Sequence, residues 1–147
     1  FFFSSGITIE KIKGITASQL IVQSLLTTEH LQNILKSLQI IHQTKHTFNT
    51  INIDIHYNLL PKLKKRIELF DTTQINNFQK IINSITQHII QYIQSKKYKT
   101  TIIHGDPVLT NIFIDNFNSI KFIDMRGHHN YNYSIIGDPI YDYAKLF

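Results

Sequence analysis

The sequence contains no cysteine, which excludes a disulfide framework, thiolate chemistry and zinc sites built on sulfur. No apolar run approaches the roughly 20 residues that cross a bilayer. The opening letters FFFSSG lack the basic residues that begin a secretory signal. With 147 residues, 42% of them hydrophobic and 17% charged, the composition is that of one folded domain. We therefore expect a soluble, cytoplasmic protein with no membrane partner.

The chain is also poor in acidic residues, which leaves a formal net charge of +5. This excess favours an anionic partner without specifying which one. The basic residues cluster at 62–66 and 96–99, and neither cluster is interleaved with aromatics as nucleic-acid binding favours. We interpret both as solvated helix ends and expect no nucleic-acid partner. A basic nucleic-acid-binding module is a rival hypothesis, and it predicts salt-dependent binding.

Most of the first hundred residues show helical patterns. Thr16 and Gln19 have the spacing of a capping box, and a second helix is predicted from about Thr28 to His42. Pro61 suits the first turn of a third helix. Asp71 with Gln74 is predicted to cap the longest one. The apolar stripes expected in the core are Leu31, Ile34, Leu35, Leu38 and Ile41, then Leu63, Ile67 and Phe70, then Ile75, Phe78, Ile82, Ile85, Ile89 and Ile93.

The other segments are expected to be strands, loops and a last helix. Ile7 to Ile12 alternates weakly and predicts a strand, and 44–58 is polar enough for a loop. Apolar residues alternate on both sides of 116–119, which predicts a hairpin. Asp138 before Pro139 predicts an N-cap and a helix that runs to the end. The expected fold class is mostly α with a small β-hairpin (α+β).

Three oxygen-bearing side chains stand at the ends of the short apolar runs in IIHGDPVLTNIFIDNFNSIKFID. Asp106 and Asn111 bound a loop that leads into the first strand of the hairpin, and Asp124 ends the second strand. Because a hairpin returns the chain to its starting side, Asn111 and Asp124 can lie together. An amide oxygen beside a carboxylate suits Mg²⁺, which usually keeps sites for phosphates. Asp106 stays free to accept a proton, so the set fits phosphoryl transfer. Either acid alone would be an ordinary turn residue.

HGDPVLTN followed by IKFID resembles the catalytic segment of the aminoglycoside phosphotransferase and choline kinase family, which has a protein-kinase-like fold. GDPIYDYAKL is similar to the helix that follows in that family. Together with FIDMRG, it most resembles a branch associated with bacterial surface-polysaccharide genes. The resemblance implies an ATP- and Mg²⁺-dependent phosphotransferase acting on a hydroxyl of a sugar, aminoglycoside or amino-alcohol.

The resemblance also implies roles for individual residues. Asp106 would orient or deprotonate the acceptor hydroxyl, and Asn111 and Asp124 would hold Mg²⁺ against the nucleotide phosphates. His104 would support the loop without taking part in the chemistry. Asp138 and Asp142 fall on the family's helix acids. Asp142 would support the catalytic loop, or would simply be an acid favoured at a helix N-terminus.

The match extends over almost the whole chain but only onto the carboxyl-terminal lobe. ITIEKIKGITASQL resembles the inter-lobe linker, which would occupy residues 1–15, and LKSLQIIHQTK resembles a helix of the lobe. No Gly-rich loop and no strand lysine for the phosphates precede the linker, so the nucleotide-binding lobe is absent and residues 1–147 are expected to be a fragment. Transfer by this piece alone is doubtful. A non-catalytic kinase-like binding or scaffolding domain is the alternative.

Residues after Asp124 depart from the protein-kinase pattern, which favours a small-molecule kinase. Arg126 either pairs with a phosphate or forms a salt bridge with an acid such as Asp138, the commoner arrangement. Tyr131 and Tyr133 lie in HHNYNYS and are candidates for an acceptor pocket, although a mobile polar loop is the default expectation there. The adjacent histidines lack a third ligand at metal-site spacing.

Overall fold

A computed structural model describes residues 10–45, 54–129 and 132–147, without the side chains of residues 128, 129, 132 and 133. Within that part, helices and short strands mix in an α+β arrangement. The α-helices are α1 (Ala17–Val22), α2 (Thr28–Gln43), α3 (Leu59–Glu68), α4 (Phe78–Ser95) and α5 (Pro139–Leu146). The strands are β1 (Ile15–Thr16), β2 (Thr101–Ile102), β3 (Ile112–Ile114), β4 (Ile120–Phe122), β5 (His128–His129), β6 (Asn132–Tyr133) and β7 (Ile136–Gly137). No described helix is long and apolar enough to cross a membrane.

The strands form small antiparallel sheets. The largest has the order β1-β3-β4, while β2 pairs with β7 and β5 pairs with β6. The predicted hairpin is confirmed as β3 and β4, with Ile112 opposite Phe122 and Ile114 opposite Ile120. Its turn is held by Asp115 Oδ1, which accepts the backbone N–H groups of Phe117 and Ser119 at 2.8 and 2.9 Å.

The main core lies between the first two helices and the three-stranded sheet. Its buried members are Ala17, Leu20, Ile34, Ile112 and Ile114. The predicted capping box at Thr16 is confirmed, since its hydroxyl accepts Gln19 N–H and the Gln19 side chain accepts Thr16 N–H. Local hydrogen bonds therefore fix the start of α1, which carries Ala17 and Leu20 into this core.

Helix α2 confirms the predicted range to within one residue, but its stripe is only partly core. Ile34 and Leu38 are fully buried, whereas Leu31 and Leu35 are 45% and 41% exposed. The stripe of α4 was predicted as core, and that prediction is wrong for the described residues. No residue of α4 is fully buried, and Ile85 is 41% exposed.

Three predictions about element ends and loops also need correction. The predicted cap at Asp71 is wrong, because its carboxylate binds Thr73 and α4 begins only after Asn77. Residues 10–12 form no strand, and the rest of the strand predicted from Ile7 lies outside the described residues. The segment expected to be a mobile loop after Gly127 contains the paired strands β5 and β6 instead. Of the loop predicted at 44–58, residues 54–58 form a turn and 46–53 are not described.

The last helix begins as predicted. Asp138 is its N-cap, with Oδ1 accepting Ile140 N–H at 3.0 Å, and Pro139 follows at the first position. Pro61 lies in the first turn of α3 as expected. Residues 10–14, the described part of the segment interpreted as a linker, carry no regular structure, and Glu10 forms an exposed ion pair with Lys121 on β4.

Candidate active site

The loop from His104 to Asn111 connects β2 to β3 through two tight turns. Gly105 has φ of +82°, a conformation that favours glycine. Val108 N–H then binds Asp106 C=O at 2.8 Å, and Asn111 N–H binds Val108 C=O at 2.7 Å. The loop is therefore compact, and Asp106 lies at its outer bend with its side chain 39% exposed.

Asp142 of α5 fixes the start of this loop. The residue is fully buried, and its carboxylate accepts the backbone N–H groups of His104 at 2.8 Å and Gly105 at 2.7 Å. The same carboxylate accepts a 2.8 Å hydrogen bond from Nε2 of His42, at the end of α2. Asp142 thus connects α2, α5 and the loop. It therefore supports the loop directly and is more than an acid favoured at a helix N-terminus.

His104 lies beneath the loop and is only 1% exposed. Its Nδ1 faces the backbone N–H of Asp106 at 3.2 Å. Because that N–H can only donate, Nδ1 is the accepting nitrogen and the neutral ring carries its hydrogen on Nε2. Nε2 is buried and forms no hydrogen bond of standard geometry with a described residue, although the Ile123 backbone lies close to the ring. Burial lowers the pKa of His104, against the opposing influence of Asp142, the Ile123 backbone and two further acids, Asp106 and Asp124.

The hairpin brings Asn111 and Asp124 to the same end of the sheet. Asn111 C=O accepts a hydrogen bond from Ile123 N–H at 3.0 Å, and Asp124 is the next residue. The Asn111 amide donates through Nδ2 to Asp106 C=O at 3.0 Å, so its Oδ1 is the atom left for a ligand. Asp124 is exposed and has φ of 58°, which is uncommon for a residue with a side chain.

A cation missed by the sequence reasoning lies against Asp106. Lys145 Nζ is 2.7 Å from Asp106 Oδ1, and its side chain is 28% exposed. Lys145 follows Asp142 by three residues, so both lie on one face of α5. That spacing is a signal that the sequence does offer, but only once the face of α5 is known to meet the loop.

An open cavity of about 640 Å³ lies beside the loop. It is lined by Asp106 and Asp124, by residues of α5 and by the segment from Ile55 to Leu59. Asn111 is not among the described residues that line it, so the amide faces the loop more than the open space.

The far wall holds a buried cluster that the sequence reasoning also missed. Asp138 Oδ2 accepts hydrogen bonds from Tyr92 Oη at 2.7 Å and from His56 Nε2 at 3.1 Å. Burial, followed by the hydrogen bond to Asp138, raises the pKa of Tyr92 to about 12. The ring of Tyr98 meets the edge of His56 at 4.3 Å between centroids. Asp138 therefore ties α4 and the 54–58 turn to the start of α5.

Arg126 does not form the salt bridge to Asp138 that was the commoner expectation, because within the described part Asp138 is held by His56 and Tyr92 instead. The Arg126 guanidinium lies over the ring of Tyr141, with 5.2 Å from Cζ to the ring centroid. Its backbone N–H binds His104 C=O at 2.8 Å. Tyr131 lies outside the described residues, and only the backbone of Tyr133 is described, in β6.

Comparisons with protein-family models, curated proteins and solved structures returned no match. Among the described residues, no group of three or more His, Cys, Asp or Glu side chains could hold a metal ion. Asn111 and Asp124 are a different kind of pair, an amide and one carboxylate. Both groups offer the hard oxygen atoms that Mg²⁺ prefers.

Proposed function

We propose that this chain is the carboxyl-terminal lobe of a protein-kinase-like small-molecule phosphotransferase that acts in the cytoplasm, where ATP is available. The observation that carries the proposal is the hydrogen bonding that connects the backbones of three residues around one loop. Asn111 is bonded through its backbone to the residue before Asp124 and through its amide to the backbone of Asp106. A proton acceptor is therefore linked to two oxygen ligands for a cation by short hydrogen bonds.

In this proposal Asp106 binds the acceptor hydroxyl. One carboxylate oxygen, Oδ1, is held by Lys145, which leaves Oδ2 to take the hydroxyl proton. The alcohol oxygen forms a bond to the γ-phosphorus of ATP, the bond from that phosphorus to the bridging oxygen breaks, and ADP leaves. Positioning of the reactants supplies much of the acceleration in such transfers.

Asn111 Oδ1 and the Asp124 carboxylate are the groups that would hold Mg²⁺. When bound, Mg²⁺ supplies neutralisation of the charge on the nucleotide phosphates. Asn111 is kept in place by its bond to the loop, and Asp124 follows β4 by two residues. The bond at Asn111 leaves its Oδ1 for a cation, and the exposed carboxylate of Asp124 is available to the same ion.

A second candidate, a kinase-like domain that binds ligands without turnover, is favoured by one observation. The proposed proton acceptor is already engaged, since Lys145 Nζ lies 2.7 Å from Asp106 Oδ1. In this alternative the ion pair is structural and the cavity only binds.

A turnover assay on the full-length protein separates these candidates. Transfer of phosphate from ATP to a panel of small alcohols is followed by phosphorus NMR, in the parent and in Asp106→Asn and Asp124→Ala. We expect Asp106→Asn to abolish transfer while ATP binding stays near the parental value, and Asp124→Ala to lose Mg²⁺-dependent ATP binding as well. Asp115→Asn, on the same hairpin, is the control and keeps both. No transfer to any alcohol by the parent would favour the binding domain.

A further inference from the structure

The charged groups of the cavity fall into paired and unpaired sets. Asp138 is satisfied by His56 and Tyr92, and Asp106 is paired with Lys145. Two cations on the same wall, Lys62 and Arg126, form no ion pair with a described carboxylate.

Both unpaired cations contact one residue of α5, Tyr141. Lys62 Nζ donates to Tyr141 Oη at 3.5 Å, a long hydrogen bond. Arg126 lies over the face of the same ring at 5.2 Å. Lys62 and Arg126 are half-buried, so each has lost part of its hydration without gaining an opposite charge. A bound anion would restore that loss.

We propose that Lys62, Arg126 and Tyr141 form a subsite for an anionic group on the acceptor, so that the substrate is an alcohol carrying a phosphate or a carboxylate. The inference rests on the proposed function and narrows it. Arg126 offers a planar pair of N–H donors, which matches the oxygens of either anion, and Lys62 supplies a second charge. The Tyr141 hydroxyl adds a neutral hydrogen-bonding group between them.

The same arrangement disfavours cationic acceptors such as aminoglycosides and amino-alcohols. An ammonium group beside Tyr141 would meet two positive charges. Asp138 and Asp106 already have partners, and the remaining described carboxylate of the cavity, Asp124, is the group assigned to Mg²⁺. Like charges placed together at a binding site are a means of rejecting the wrong ligand. The cavity wall thus selects by charge before any contact with the reacting hydroxyl.

The phosphates of ATP are a second anionic group that would match this subsite. We assign the subsite to the acceptor because Lys62 and Arg126 both contact Tyr141 on α5. Lys145, four residues later on the same helix face, pairs with Asp106, which would bind the acceptor hydroxyl. Arg126 extends from the segment after β4 to the ring of Tyr141 on α5, which directs its charge toward the α5 wall.

Binding is tested without nucleotide on the full-length protein, at constant ionic strength, with glycerol 3-phosphate, glycerate, glycerol and choline as probes. We expect glycerol 3-phosphate and glycerate to bind more tightly than glycerol, and choline to bind least. Lys62→Gln and Arg126→Gln should each weaken binding of the anions by about tenfold. Lys64→Gln, which removes an exposed charge from the same helix, is the control and should change nothing.

The steady-state constants of the full-length protein then show whether the subsite binds the acceptor or the phosphates of ATP. If the subsite serves the acceptor, Lys62→Gln and Arg126→Gln raise the KM for an anionic alcohol and leave the KM for ATP unchanged. A rise in the KM for ATP alone would overturn the inference, as would equal binding of all the probes. Charge-dependent binding without any ATP turnover would support the anion site and remove the proposed function.

Discussion

Oδ1 of Asp142 accepts a 2.7 Å hydrogen bond from the backbone N–H of Gly105, which joins the last helix to the first bend of the loop that carries Asp106. Its other oxygen serves both His104 N–H and His42 Nε2. One buried side chain therefore fixes the direction in which the loop leaves β2, and the position of Asp106 depends on it.

Replacing Asp142 by Asn should destabilise the fold strongly. The amide keeps one accepting oxygen and directs an NH₂ group toward donors that need an acceptor, so at least one buried donor loses its partner. We expect the free energy of unfolding to fall by about 3 to 5 kcal/mol, the usual cost of breaking a buried charged interaction. Urea unfolding measures it. Glu68→Gln on exposed α3 is the control, and a loss of under about 1 kcal/mol in Asp142→Asn would contradict this account.

Two glycines near the site make a matched pair for testing the tight loop. A Cβ added at Gly105 would lie 2.7 Å from Cβ and 2.9 Å from Nε of Arg126, and φ there is +82°. At Gly127 nothing lies within 4 Å. Gly105→Ala should therefore cost about 2 to 4 kcal/mol from strain and overpacking together, and Gly127→Ala less than about 1 kcal/mol. If Gly105→Ala lost as little stability as Gly127→Ala, the loop would have adapted to the added methyl group and this account would be wrong.

The buried imidazole predicts a pH dependence of stability. Since burial lowers the pKa of His104 in the folded protein, the unfolded chain binds a proton at this residue more readily below about pH 6.5. The stability that His104 contributes is therefore full at higher pH and declines as pH falls below that value, by at most about 1.4 kcal/mol per pH unit.

His104→Asn provides the comparison, because Asn can accept Asp106 N–H but does not titrate. We expect the stability advantage of the parent over this variant to shrink between about pH 7.5 and about pH 5.5. Both proteins contain the carboxylates around the ring, Asp142, Asp106 and Asp124. Their own contribution to the pH dependence of stability therefore largely cancels when the two proteins are compared. An advantage that is constant or grows toward acid would contradict the burial of a neutral ring.

The Tyr92–Asp138 contact predicts the opposite trend at alkaline pH. Burial and Asp138 raise the pKa of Tyr92 to about 12, so the stabilisation is present below about pH 10 and is lost between about 10 and 12. Tyr92→Phe should cost about 1 to 2 kcal/mol at neutral pH and should remove that alkaline loss. Tyr98→Phe keeps the neighbouring ring and should do neither. Equal effects in the two variants would assign the stability to ring packing alone.

Features set by neighbouring residues were predictable from the sequence. The capping box at Thr16, the hairpin around 116–119 and the Asp138 N-cap each depend on contacts between residues no more than ten positions apart, and all are confirmed. The carboxylate of Asp71 accepts Thr73 N–H, a bond that an N-cap also makes, but the chain continues as turns and α4 begins only at Phe78. Local chemistry alone could not choose between those two arrangements.

Features set by distant residues were not predictable. His56 and Asp138 are 82 positions apart, and Tyr92 and Asp138 are 46 apart, so no periodicity connects them. The pairing of β2 with β7 and the ion pair of Lys145 with Asp106 are equally long-range. The stripe of α4, half-buried at most, shows the same limit, because an apolar face indicates what can be buried and not what lies against it.

The central claim, that Asn111 and Asp124 hold one cation against the phosphates of ATP, is tested most directly by measuring how far Mg²⁺ tightens ATP binding to the full-length protein. We predict that Asn111→Ala and Asp124→Ala each reduce that enhancement by at least roughly tenfold, and that the double variant loses little more than Asp124→Ala because both groups serve the same ion. Asp115→Asn should keep the full enhancement. An enhancement that survives in both single variants, or losses that add fully in the double variant, would contradict a shared cation.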